Sequence, residues 1–230
     1  MTGPRSRWGP ISGVLLCLSW APMVLAVPRL PALGSAAEVE AFWRTNTGLL
    51  QATILSVSVG FLFLLDFLGA LAERLHAVPG AGAAGWTAFG SALMFMTALN
   101  VAIGLDLAGG LLLDLAPGAT YLLHTAGFLL AAPAAFAGAA FFVAVAGIAF
   151  TTAALPRWSG WVAVAGAIAN AGAVLGALSL TGPLNTGNGL IGGIAAPLGA
   201  FVVWILGVSL HWLRRPADGR AEIGERAVRS

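Results

Sequence analysis

The sequence predicts an all-α fold, a polytopic membrane helix bundle of about six transmembrane helices with both termini cytoplasmic. Three observations predict it. First, only 9% of the 230 residues are charged, 59% are hydrophobic and mean hydropathy is +0.91. A soluble domain carries roughly a quarter charged residues. Nine acids and eleven arginines cannot clothe a water-soluble body of this size, so the main solvent is lipid. Second, apolar residues gather in six runs, at about residues 11–27, 49–71, 86–105, 121–150, 161–180 and 190–210. A hydrocarbon core takes roughly 17–25 helical residues, and each run is long enough. Third, the arginines are sided. With a cytoplasmic amino terminus, only Arg29 and Arg44 fall outside, and the other nine lie inside. That is the positive-inside bias. The composition also makes a plasma-membrane, multi-pass location the expected one.

Residues 1–213 form one six-helix transmembrane domain, and 214–230 a basic cytoplasmic tail too short and polar to fold alone. The net charge of +2 and a pI near 9.5 do not point to nucleic acid, because the arginines sit at membrane edges and in the tail. The partner the chain implies is the bilayer itself.

The first run, after Arg5 and Arg7, ends in "VLA" before Val27 and has the outline of a cleavable signal peptide. Its length and Pro28 beside the would-be cut favour a retained span. In the outer loop, Ser35-Ala-Ala-Glu38 is a capping box that starts a short helix, "AEVEAFWRT". That helix is expected on the membrane surface with Phe42 and Trp43 downward. The second run holds Asp66 within "FLFLLDFLGA". At 100° per residue, Gln51, Ser58, Asp66, Gly69 and Glu73 share a face, which lipid disfavours, so the face is expected to turn inward.

The "HAVPGAGAAG" stretch (76–85) is a turn. The third run carries Asn100, with Asp106 toward its outer end. The fourth is overlong, so either Pro133 kinks it or its ends leave the hydrocarbon. Thr120, His124, Gly127, Ala131, Ala135 and Gly138 form its small and polar face. In the fifth, Ser159, Ala163, Gly166, Asn170, Ala173, Ala177 and Thr181 do the same. Small residues let helices approach, and isolated polar groups bond across the gap. Gly172 and Gly176 make a GxxxG pair, the one feature that points to a homo-oligomer. "TGPLNTGNG" (181–189) is a second turn-rich breaker, and the sixth run closes the bundle.

A rise of 1.5 Å per residue sorts the polar residues by depth. His124, Asn100 and Asp106 lie toward the outer side, Asn170 near the middle and Asp66 toward the inner side. A solute path needs such a ladder, and three separate helix clasps produce it equally well. Four residues are candidates for ligand binding: Asp66, Asn100, His124 and Asn170. No catalytic residue stands out. Walker, HExxH, CxxC and GxSxG motifs are absent from the sequence. Cys17 is the one cysteine, and His76, His124 and His211 lie at different depths, so neither metal nor cofactor is expected.

"LPRWSGW" (155–161) and the closing "APLGAFVVWILGVSLHWLRR" (196–215) carry a likeness. The chain resembles an uncharacterised bacterial, actinobacterial-type family of six-helix integral membrane proteins with a Pro-Arg-Trp-x-Gly-Trp signature. The resemblance covers mainly the last third. It implies a fold and a membrane location but no activity, and no functional residue can be carried over from it. The expected role is binding or passage of a small or lipid-like ligand through a polar-lined interior. The alternatives are a structural or regulatory membrane subunit, and a membrane-embedded enzyme using Asp66 as proton acceptor. A retained first span predicts that amino-terminal sequencing of the purified protein does not begin at Val27; a start at Val27 identifies a signal peptide.

Overall fold

The computed structural model describes residues 7–31 and 33–214. Of the expected tail, 214–230, Arg214 is the last residue of the sixth helix, and residues 215–230 lie outside the described residues. Six helices are long and apolar enough to cross a membrane. They are α1 (Trp8–Ala26), α2 (Ala36–His76), α3 (Gly82–Leu111), α4 (Pro117–Thr151), α5 (Arg157–Val174) and α6 (Ala195–Arg214). No strand forms among the described residues. Six crossings return the chain to the side where it began; that side, with Trp8 and Arg214, is called the terminal side.

The helices differ in length, and the stagger matters. At 1.5 Å per residue, α1 is about 28 Å long, α6 about 30 Å and α2 about 62 Å. The capping box is present: Ser35 Oγ accepts from the Glu38 N–H at 3.3 Å. Yet it starts α2 itself and not a separate surface helix, because no breaker separates residue 36 from residue 76. Trp43 is therefore buried in the bundle and not laid on a membrane surface. α2 overshoots α1 at both ends. The first turn of α1 lies beside Asp66 and Ala70, and its last turn is level with Leu50. α4 runs through Pro133 without interruption and extends past the far end of α5.

Packing is a matter of rings set into glycine notches. A Cβ at Gly110 would lie 2.3 Å from the Trp43 ring, and one at Gly60 would lie 2.5 Å from Trp20. At Gly166 it would lie 2.8 Å from Phe142 and at Gly207 2.7 Å from Trp158. A central aromatic group joins four helices. Phe201 (α6) stacks on Phe95 (α3) at 4.7 Å and on Phe141 (α4) at 5.1 Å. Trp204 stands edge-on to Phe141 at 5.3 Å and to Phe67 of α2 at 6.5 Å. α1 belongs to this core: Trp20 is fully buried and its Nε1–H donates to Val57 O at 3.3 Å.

The "LPRWSGW" stretch makes the α4–α5 turn. Pro156, in extended conformation, is the N-cap of α5. Ser159 Oγ–H donates to Pro156 O at 2.8 Å, and Trp204 Nε1–H donates to Ser159 O at 3.1 Å. Gly160 faces Phe150, which in turn meets Trp161 at 5.2 Å. Tryptophans also mark the terminal side elsewhere, with the Arg74 guanidinium 4.2 Å over the Trp212 ring.

The small and polar faces expected inside divide two to one. Those of α4 and, through Ala173, of α5 are buried. The α2 stripe is not: Gln51, Ser58, Asp66, Gly69 and Glu73 are all exposed. Leu50, Val57, Leu64, Phe67 and Leu71 take the inward face instead, with Phe67 set against Gly13 of α1 and packed on Trp204 and Trp212 of α6. Gly172 and Gly176 pack against Ile191 and Gly192 of their own following loop, so the GxxxG pair holds that loop.

A methyl at Gly110 must displace Trp43, so Gly110→Ala is expected to lower stability by about 1–3 kcal/mol. Nothing lies within 4 Å of a Cβ at Gly69, so Gly69→Ala should leave it unchanged or raise it. Thermal denaturation in detergent checks both; equal losses would contradict the notch packing.

Candidate functional site

The four sequence candidates do not converge. Asp66 is exposed, and its Oδ2 accepts from the Trp8 Nε1–H at 3.0 Å. The expectation that it turns inward is corrected by the stagger. Asp66 lies level with the first turn of α1, where an amphipathic tryptophan is at home and a carboxylate still reaches polar surroundings. Asn100 is also exposed, because the neighbouring Leu99 takes the buried direction and Asn100 is turned 100° from it.

Asn170 and His124 are buried, at different levels. Asn170 Nδ2–H donates to Gly166 O at 2.9 Å, within its own helix. Its Oδ1 has no hydrogen-bond partner among the described residues. A Cβ at Gly138 would lie 2.0 Å from that oxygen, so Oδ1 abuts the glycine Cα–H, a weak C–H···O contact. Asn170 thus clasps α5 to α4.

His124 forms the second buried polar point. Asp106 Oδ1 faces its Nδ1 in a short contact. The carboxylate oxygen is an acceptor, which assigns the ring proton to Nδ1. The Trp43 indole stands edge-on to the imidazole, centroids 6.3 Å apart, with Nε1 3.4 Å from the same nitrogen. Phe128 covers another side of the ring at 5.0 Å. The remaining nitrogen, Nε2, is buried without a hydrogen-bond partner among the described residues. Three helices position this group. α3 approaches α4 closely through Gly109, whose carbonyl accepts from Thr120 Oγ1–H at 2.8 Å. α2 reaches α3 where Trp43 seats on Gly110. Asp106 had the right depth to meet His124, and the depth match was the available signal. Trp43 was missed because its segment read as surface.

Beneath this polar cap is a cavity of about 90 Å³, between α1, α2, α3, α4 and the start of α6. One water needs about 10–15 Å³ by that measure, so roughly six water-sized groups fit. Its wall is apolar, built among others from Met23, Val57, Ile103, Phe128 and Ala131. Asp106 is its one ionisable residue, and Thr53 the other polar side chain. The interior is therefore apolar with a single carboxyl group at one end, and not polar-lined as expected. His124 is not on the wall; it meets the cavity through Asp106.

The loop after α5 is tied to α4 and to the turn after α1. Asn185 Oδ1 accepts from the Gly187 N–H at 2.6 Å, an Asx turn. Thr186 Oγ1–H donates to Phe128 O at 3.0 Å, and Asn188 Nδ2–H to Leu30 O at 2.5 Å. At the exposed rim Arg44 pairs with Asp114 at 2.6 Å. Both side chains are more than half exposed, so this pair adds little stability.

No family model, curated protein or solved structure matches the chain.

His124→Leu removes the donor to Asp106 and is expected to destabilise by about 1–3 kcal/mol. Asp66→Leu, on the outer surface, should stay within about 0.5 kcal/mol of the parent. Denaturation midpoints of both variants in one detergent check the ranking, and a larger loss for Asp66→Leu would reverse the assignment.

Proposed function

We propose that this chain binds a small apolar or lipid-like ligand in the cavity beneath the His124–Asp106 pair, within a bacterial plasma membrane and with its terminal side cytoplasmic. The observation that carries the reading is the cavity itself: an apolar wall with one carboxyl group at its end. Ligand sites commonly combine an apolar lining with a few convergent polar groups. Of the sequence candidates, His124 keeps a place in this reading, as the group that holds Asp106. Asn170 serves as a helix clasp, and Asp66 and Asn100 lie outside the cavity wall. The arginine bias and the interfacial tryptophans support the orientation. The Pro-Arg-Trp-x-Gly-Trp stretch supports membership of the six-helix family it resembles.

A structural or regulatory subunit is the second reading, favoured by the local settlement of Asn170 and Asp66. The enzyme reading loses support, because Asp66 is bound by Trp8 on the outer surface.

An alkyl diazirine separates the two readings. In nanodiscs it should label peptides containing Met23, Ile54 or Ile103, and Ala131→Phe, which fills the cavity, should abolish that labelling. Elution and circular dichroism report whether the variant folds. Labelling of those peptides unaffected by Ala131→Phe, or absent throughout, refutes the binding reading.

A further inference from the structure

On the reading that the cavity holds a ligand, we infer that the ligand is an amphiphile with a hydrogen-bond-donating cationic end, of the primary-amine class, and not a carboxylic acid or phosphate. The wall carries one carboxyl group and no cationic side chain; the Thr53 hydroxyl, its other polar group, both donates and accepts. Asp106 is one-fifth exposed, and one of its oxygens is held by His124. The other forms no hydrogen bond among the described residues. Thr53 is the only other polar side chain on the wall, and no arginine lies on it. Arg44, the arginine near the rim, pairs with Asp114.

An ammonium group meets this arrangement well. It has three donors and no acceptor, and its charge is opposite to a carboxylate's. Charge-assisted hydrogen bonds of this kind are roughly twice as strong as neutral ones. An alcohol brings one donor and no charge. An acid sets a second carboxylate against Asp106 in a low-dielectric wall, where like charges repel strongly. The size of the cavity suits a short alkyl chain, or the end of a longer one.

Hexylamine, hexanol and hexanoate are the probes. Each is titrated calorimetrically into the full chain in detergent at neutral pH, and into the Ala131→Phe variant to remove the heat of micelle partition. Hexylamine should bind about tenfold more tightly than hexanol, a difference of about 1.4 kcal/mol, and hexanoate more weakly than either. Asp106→Asn should bring hexylamine close to hexanol while leaving hexanol unchanged. If Asp106→Asn does not fold, the ranking on the parent protein decides. Hexanol binding as tightly as hexylamine, or hexanoate binding most tightly, overturns the inference and leaves the binding reading standing. If none of the three shows a signal that Ala131→Phe removes, the binding reading itself fails.

Discussion

Helices in hydrocarbon gain little by hiding leucine from lipid, because the two environments are equally apolar. What holds this bundle is therefore shape, and the recurring shape is an aromatic ring seated where a glycine has no side chain. Trp43 on Gly110, Trp20 on Gly60, Phe142 on Gly166 and Trp158 on Gly207 join different pairs of elements by the same device. Each seat brings two backbones close and lets dispersion act over a whole ring. Phe201, between Phe95 and Phe141, extends the device to the centre.

The same constraint explains where a cavity forms. Gly127 lies so close to Ala102 that a Cβ there would come within 2.8 Å of its carbonyl oxygen. The residues that bring α3 and α4 together are thus too small to fill the space on their α2 side. Ala102, Gly127 and Ala131 all border that space. It stays open where α1 gives way to its short 3₁₀ turn and α6 begins. The cavity is a by-product of close helix approach, placed beneath the hydrogen-bonded His124–Asp106 pair.

Asp66, Asn170 and the His124–Asp106 pair lie in three separate places and do not form a chain. Asp66 is bound by Trp8 at the terminal side, Asn170 by its own helix and the Gly138 backbone, and Asp106 by His124 at the far side. Only the last of these borders the cavity. That is the pattern of three clasps and not of a continuous path. It leaves Asp106 as the single point where this interior presents charge chemistry to a ligand.

Composition and period determined the class of this molecule: lipid as solvent, six helices, a capping box at Ser35, a turn at Pro156 and inward faces on α4 and α5. These are local or averaged properties, and the chain carries them at every residue. The length of α2 was legible only in part, because a continuous helix and a bend between two helices share the same polar loop composition. Which side of α2 turns inward was decided by tertiary structure alone. A polar stripe is disfavoured in lipid, but rings seated in glycine notches outweighed it, and the stagger brought Asp66 to the level of the first turn of α1, beside Trp8. The pairing of Asp106 with His124 was likewise a matter of register between α3 and α4, which no single helix encodes.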